Sequence, residues 1–354
     1  MQARSFLANH SLSVYTTINP PMNSRLSGHD GCTLIGYYIY MQRFLAFIIL
    51  AGCSLLLQAG EPATVDMELK QVSEHVWFVE GVPGIATDNQ GFISNAGVIV
   101  TGAGVVIFDA LGTPALSGLL LEKIRVITDE PIVRVIVSHY HADHIYGLQV
   151  FEDLDAEILA PTGAEKYLAS DHAMERLEDR RFTLDPWVNE DTRLVYPDRY
   201  LGEGTTFSLG DVDFIVTVVG KAHSDGDLTL YVMPDRVLFS GDIIFEGRVP
   251  FLGDASTRNW VKVLERMEKE QLVALIPGHG GVAEDPNEAI GLTRRYLTYL
   301  RENMGAAVEE FIPFDEAYAG IDWSDFDHLP AFEETNRRNA YQVYLSMEAE
   351  MLGR

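Results

Sequence analysis

From about Val65 onward, apolar and polar residues alternate or run in short blocks. "HVWFVEG" (75–81) has the period of a half-buried strand, and "GFISNAGVIVTGAGVVIFDA" (91–110) reads as two strands around a turn at 101–104. "PALSGLLLEKIRVI" (114–127) then spaces its apolar residues three and four apart, which is the helical period. A strand at "IVRVIVS" (132–138), a helix beginning in "YGLQVF" (146–151), a short strand at "AEILAP" (156–161) and a helix over 164–177 come next. Residues 178–200 are charged and irregular around Pro186 and Trp187, and read as a long surface loop, either functional or a simple insertion.

The second half repeats the order. "TTFSLGDVDFIVTVVG" (205–220) and "LTLYVMPDRVLFSGD" (228–242) each give two strands, turning at Gly210-Asp211 and at Pro234-Asp235. A helix over 257–270 capped by Ser256 or Thr257, a strand in "QLVALIPGHG" (271–280), a long helix with Pro286 in its first turn and a final helix over about 330–352 complete the chain. Two β-then-α halves with no Pro/Ser-rich linker between them predict two sheets packed face to face with helices outside.

The first sixty residues obey a different pattern. Arg43 precedes an apolar run over 44–57 and then small residues, the order of a secretory signal peptide with cleavage after Ala59. The run is short for a membrane span, so none is expected in the mature protein. Residues 1–40 are polar and aperiodic, and are expected to be an extension ahead of a start at Met41, or else a disordered tail. Leu50-Ala51-Gly52-Cys53 resembles a lipobox, but the apolar run continues past Cys53 and few residues precede it, which favours plain export over lipidation. The expected organisation is therefore an extension over 1–40, a signal over 41–59, a main domain over 65–305 and a helical extension over 306–354 packed on it. The expected location is the periplasm or the exterior.

Charge and cysteine content narrow the chemistry. The chain has 354 residues and a formal charge of −26, with about −28 carried after residue 43, which repels nucleic acid and anionic membranes. Both cysteines, Cys32 and Cys53, lie before the main domain. A catalytic thiolate, a disulfide and a cysteine metal site are thereby excluded from that domain.

His139, His141, Asp143 and His144 fall within "HYHADH", immediately after an apolar strand. Four groups that are costly to bury need a compensating partner, and a metal is the candidate. His223 in "KAHSDGD", Asp242 in "FSGDIIF" and His279 in "PGHGG" repeat the arrangement: an apolar strand, a small residue, a ligand-type side chain. His75, His172 and His328 lack it and read as ordinary surface or boundary histidines.

This set, in type and order, resembles the metallo-β-lactamase superfamily over about residues 70–300. The resemblance implies an αββα sandwich of two mixed β-sheets with outer helices, and a metal site where strand ends converge at one edge. It implies two zinc ions, His139, His141 and His223 holding one, Asp143, His144 and His279 the other, with Asp242 and a hydroxide as bridges; iron is the alternative metal. It implies that Asp143 orients the nucleophile and shuttles a proton, and that the reaction is hydrolysis of an ester, thioester, lactone or β-lactam in a small-molecule substrate.

Branches of the family differ at these positions. Well-known β-lactamases carry a cysteine where this chain has Asp242, and diiron flavoproteins carry an acid where it has His141. A mononuclear iron persulfide dioxygenase is the oxidoreductase alternative. Glyoxalase II is disfavoured, because Arg294-Arg295 and Arg337-Arg338 lie among many acids. Segments 247–267 and 329–351 resemble an exported subgroup associated with periplasmic quinoproteins, which makes a metal-binding accessory protein the non-enzymatic alternative. Loops 80–92 and 244–254 are expected to line the substrate groove. Within or near them, Arg248 is a partner for a substrate carboxylate or a structural ion-pair residue, Tyr140 and Tyr146 are oxyanion donors or packing residues, and Lys221 points to the groove or to solvent. Nothing in the sequence fixes the oligomeric state.

Overall fold

A computed structural model describes residues 61–253, 255–267 and 271–353. The expectations for the extension, the signal peptide and Cys53 lie outside the described residues.

Twelve strands form two sheets among the described residues. The first contains β1 (Leu69–Gln71), β2 (Val76–Val79), β3 (Ala96–Val100), β4 (Val105–Phe108), β5 (Ile132–Ile136), β6 (Glu157–Pro161) and β7 (Arg199–Leu201), in sequence order. Its first four strands pair antiparallel and the rest parallel. The second contains β8 (Thr205–Leu209), β9 (Val212–Gly220), β10 (Asp227–Val232), β11 (Val237–Phe245) and β12 (Ala274–His279). It is antiparallel except for the β11–β12 pair. Both sheets are mixed and helices flank them, which is the αββα sandwich.

Strand alternation divides the apolar residues between two layers. Val106 and Phe108 of β4 face inward and join Phe214, Leu230 and Phe239 of the second sheet. Val105 and Ile107 face outward against Leu116, Leu120 and Ile124 of α1 (Pro114–Ile127). Phe108 and Phe239 stack across the sheets at 5.2 Å. That contact needs Gly97, because a Cβ there would lie 2.2 Å from the Phe239 ring.

Short helices α2 (Ala142–Ile145) and α3 (Leu148–Glu152) come after β5. The helix expected over 164–177 is instead two: α4 (Gly163–Leu168) and α5 (Asp171–Thr183). Ser170 between them is extended, and its hydroxyl donates to the Tyr167 carbonyl at 2.6 Å. A serine that bonds its neighbouring backbone competes with the helix and restarts it. α5 also runs into the stretch read as irregular, and Arg181 orders the remainder by donating to the carbonyls of Asn189 and Thr192.

On the second sheet lie α6 (Thr257–Met267), α7 (Pro286–Glu309), the short α8 (Phe314–Ala319) and α9 (Phe332–Met351). Asp285 caps α7 by accepting from the Asn287 and Glu288 amides, with Pro286 at its first position. α9 packs on α7 through Asn336 and Asn339, both hydrogen-bonded to the Tyr296 hydroxyl. No helix of the described residues is long and apolar enough to cross a membrane.

Candidate metal centre

The chemistry-bearing residues sit where strands of both sheets end on one edge. His139 lies three residues past β5, His141 is the residue before α2, and α2 itself carries Asp143 and His144. His223 comes after β9, beyond Gly220, whose φ of 74° turns the chain. His279 closes β12. Asp242 differs from expectation: β11 does not end before it but continues to Phe245 through a register shift at Gly241, where φ is 51°. A bulge re-aims a side chain without ending the strand. Gly278 leaves the room, since a Cβ there would lie 1.9 Å from the Asp242 carboxylate.

The seven side chains gather in two groups. Donor atoms of His139, His141, His223 and Asp242 lie within 4.8 Å of one another, as do those of Asp143, His144 and His279. His141 Nδ1 and His223 Nε2 are 3.0 Å apart. Zn–N bonds of 2.0–2.1 Å place tetrahedral ligand nitrogens about 3.3 Å apart, so this spacing is close to what one ion requires. Asp242 Oδ2 lies 3.4 Å from His223 Nε2 and 3.3 Å from His279 Nε2, reaching both groups. Asp143 Oδ2 lies 3.2 Å from His279 Nε2 and 3.6 Å from His144 Nε2.

Outer hydrogen bonds fix which nitrogen faces inward. Asp109 accepts from the Ser138 hydroxyl at 2.7 Å, leaving the serine oxygen to accept from His139 Nδ1 at 2.9 Å. Asp109 also accepts from His144 Nδ1 at 2.8 Å, and the Ile93 carbonyl accepts from His279 Nδ1 at 2.7 Å. Each neutral ring then presents its Nε2 lone pair to the centre. His139 Nε2, His144 Nε2 and Asp242 Oδ1 are buried with no hydrogen-bond partner. Buried polar atoms left without a bond are costly, and a metal ion satisfies all three. The residues present therefore fit a metal centre. His223 Nδ1 is also buried without a partner, and nothing nearby accounts for it.

Electrostatics agree. Burial pushes His139 well down, with neighbouring imidazoles adding to it, and takes His223 to about 3 and His141 below its ordinary value. Burial acts the same way on His144 and His279, but the Asp143 and Asp242 carboxylates overcome it. They raise His144 well above the ordinary value and His279 to about 9. Burial would raise Asp143 and Asp242, yet the neighbouring His144 and His279 hold both down. The cluster thus demands positive charge at its centre.

Sequence reasoning missed Asp109, which is 1% exposed and holds two of the histidine positions. It comes directly after strand β4 with no small residue between, so the pattern that marked the other ligands passes over it. It missed Asn95 as well, which joins the layers by donating to the Pro277 and Gly280 carbonyls at 2.8 Å beside His279. Ser94 donates to the Asp143 carbonyl. Asp227 accepts from the Ala222 and Ser224 amides and so fixes the turn bearing His223. The three histidines set aside lie elsewhere: His75 pairs with Asp235, His172 with Glu175, and His328 lies beside Asp327. Two surface hollows of about 400 and 490 Å³ contain none of the seven residues.

A family model described as the metallo-beta-lactamase superfamily matches residues 89–279, a span that contains all seven positions. This chain belongs to that superfamily. Among curated members it is 30% identical over 157 residues to an acyl-coenzyme A thioesterase, MBLAC2, of Gallus gallus, covering 41% of this chain and 55% of the relative. The chain thus spans little more than half the length of that thioesterase. It is 25% identical over 200 residues to a metallo-beta-lactamase type 2 of Elizabethkingia meningoseptica, covering 53% and 69%. Among solved structures of the superfamily's fold, a metallo-beta-lactamase from Pontibacter korlensis superposes with a TM-score of 0.54 at 18% identity, covering 66% of this chain and 99% of that one. The sec-alkylsulfatase Pisa1 from Pseudomonas sp. gives 0.63 at 15% identity, covering 79% and 50%. At such identities the structural likeness speaks for the fold alone.

Proposed function

We propose that the protein is an exported, dinuclear zinc hydrolase that cleaves a carbonyl-centred bond (ester, thioester, lactone or β-lactam) in a small molecule. The observation that carries this is the convergence of seven ligand-type side chains from two sheets, with His139, His144 and His279 oriented by Ser138, Asp109 and the Ile93 carbonyl so that Nε2 faces inward. His139, His141 and His223 would hold one ion, Asp143, His144 and His279 the second, and Asp242 both. When bound, the metals supply a water acidic enough to become a nucleophile near neutral pH and a Lewis acid for the substrate carbonyl.

The chain's own residues do the rest. Asp143 is partly exposed at the mouth of the centre, unlike the buried His144 behind it. It stays ionised, accepts a hydrogen bond from the attacking water to orient it, and passes the proton on to the leaving atom. Phe245, stacked on His279 at 5.4 Å, and Trp260, edge-on to His223 at 5.4 Å, exclude water from the side facing the core. The thioesterase and β-lactamase relatives support acyl-group hydrolysis. Export rests on the pattern of residues 41–59.

Metal analysis of the exported protein, with a panel of a chromogenic cephalosporin, thioesters and lactones, tests the reading. About two zinc per chain is expected, with turnover on at least one bond class falling about hundredfold or more in His141→Ala and Asp242→Ala. One iron with oxygen uptake on a persulfide would place the protein among oxidoreductases. Two zinc without turnover would leave an accessory metal-binding role. Mass spectrometry of the exported chain should find its first residue at Gly60.

A further inference from the structure

Three of the four buried ligand imidazoles are turned by a hydrogen bond on the ring. His139, His144 and His279 donate from Nδ1 to Ser138, Asp109 and the Ile93 carbonyl. His223 is the exception, since its Nδ1 is buried without a partner. The rings of Trp260 and Phe245 lie 5.4 and 5.8 Å from its own. Such contacts fill the space around an imidazole but do not choose which nitrogen faces the centre. Yet His223 Nε2 stands 3.0 Å from His141 Nδ1 and 3.4 Å from Asp242 Oδ2, close to the spacing that one ion requires. Its aim must then come from the backbone that carries it.

One carboxylate gathers that backbone. Asp227 opens β10, next to a register shift against β9, and is 3% exposed. It accepts from the Ala222 amide at 3.0 Å, from the Ser224 amide at 2.9 Å and from the Ser224 hydroxyl at 2.7 Å. The amides of both neighbours of His223 therefore end on one buried side chain. One position further, the Leu228 amide donates to the Ser138 carbonyl at 3.0 Å, and Ser138 is the residue that turns His139. Two adjacent residues of β10 thus tie the turn bearing His223 in the second sheet to the strand end bearing His139 in the first.

The turn has other anchors, and they are of a different kind. Lys221 pairs with Asp225 at 3.0 Å and its carbonyl accepts from Asn259 Nδ2 at 2.8 Å, both on the outer rim. The Ser256 amide donates to the Ala222 carbonyl at 2.8 Å from the start of α6. Asp227 is the buried charge of this set, and hydrogen bonds to a carboxylate are about twice as strong as those between neutral groups.

We propose that Asp227 is a positioning residue of the metal centre: it aims His223 through the backbone, and so sets zinc affinity at the His139–His141–His223 group while leaving the Asp143–His144–His279 group unchanged. This rests on the dinuclear hydrolase reading above. The second group is aimed through its rings by Asp109 and the Ile93 carbonyl, so the two ions depend on separate anchors.

Zinc affinity of the full exported chain, measured by competition with a chromophoric chelator, tests it. His144→Ala spares the first group and His141→Ala the second, so each protein leaves one ion to follow. Adding Asp227→Ala is expected to weaken zinc about tenfold to hundredfold in the His144→Ala protein and less than about twofold in the His141→Ala protein, as for removal of a partner behind one ligand. Asp227→Asn keeps one acceptor oxygen but turns an N–H toward a backbone N–H, so it should recover part of the loss. Ser224→Ala, which removes the hydroxyl bond alone, should give a smaller loss in the same protein. A carboxylate that merely supports the fold would lower the unfolding midpoint and weaken both groups alike. Equal losses in the two proteins, or none in the first, overturn the proposal. Should Asp227→Ala fail to fold, Asp227→Asn and Ser224→Ala decide by the same comparison. Two zinc without turnover on any bond class sinks the hydrolase reading and leaves this comparison standing, whereas turnover with equal losses sinks the role of Asp227 alone.

Discussion

His144 shows how a single residue serves both fold and chemistry. Its Nδ1 is committed to Asp109 inside the protein, so Nε2 is the only atom left for the centre. The two carboxylates on that side hold a proton on His144 and on His279, whereas burial keeps His139, His141 and His223 neutral. A metal binds the neutral ring, so it must displace those two protons. A raised histidine pKa means the proton is held at pH 7 and given up only as pH climbs through about 9. Zinc titration at pH 7 in buffers of different ionisation heat should therefore show about two protons released at the Asp143–His144–His279 group and almost none at the other. Apparent affinity at that group should rise with pH and level off above about 9; equal proton release at both groups would contradict this. Ligand types were legible in the sequence because histidine and aspartate after a strand seldom lack a partner. Asp109 was not singled out, since a lone acid after a strand looks like a turn residue until its three hydrogen bonds are seen.

Among the elements, the loop leaving β11 depends on a helix almost ninety positions later. Asn339 of α9 accepts from the Leu252 amide at 3.2 Å and donates to the Pro250 carbonyl at 2.7 Å, while the Val249 amide donates to the Pro330 carbonyl at 3.0 Å. The loop that carries Arg248 is thus held in place from the C-terminal helix. Asn339→Ala leaves the Leu252 amide and the Pro250 carbonyl without this partner, a cost of about 1–3 kcal/mol, while the Tyr296 hydroxyl keeps Asn336. Hydrogen exchange should accelerate first at 249–252; unchanged exchange there with a lower midpoint for unfolding would assign Asn339 to helix packing alone. Periodicity located α1 and α7 with their ends, because Thr113 and Asp285 cap them locally. It merged α4 with α5, because their apolar spacing runs on across the break and only the Ser170 hydroxyl, bonded to its neighbour's backbone, marks it. It also ended β11 too early, since a bulge at Gly241 has no period of its own.

Over the whole molecule, the sandwich sets the distance between the two halves of the site. His139, His141, Asp143 and His144 come from the first sheet, and His223, Asp242 and His279 from the second. Gly97 and Phe239 help set that separation. Gly97→Val drives methyl groups into the Phe239 ring, and overpacking of this kind costs about 1–3 kcal/mol. The urea midpoint should fall accordingly, and Phe239→Leu in the same chain should restore part of it, because the two changes act on one contact. Strict additivity of the two losses would show that the sheets do not meet there. The sequence by itself determined the two β-then-α halves, the alternation that buries one face of each strand, the absence of cysteine from the main domain and the identity of the metal-type side chains. Each of these is written in local order: the period of apolar positions, the residue type, the side chain placed at a strand's end. Tertiary structure alone decided which nitrogen of each ring faces inward and that Asp109 and Asn95 hold the edge together. These depend on residues distant in the chain meeting across two sheets, and no local pattern encodes such a meeting.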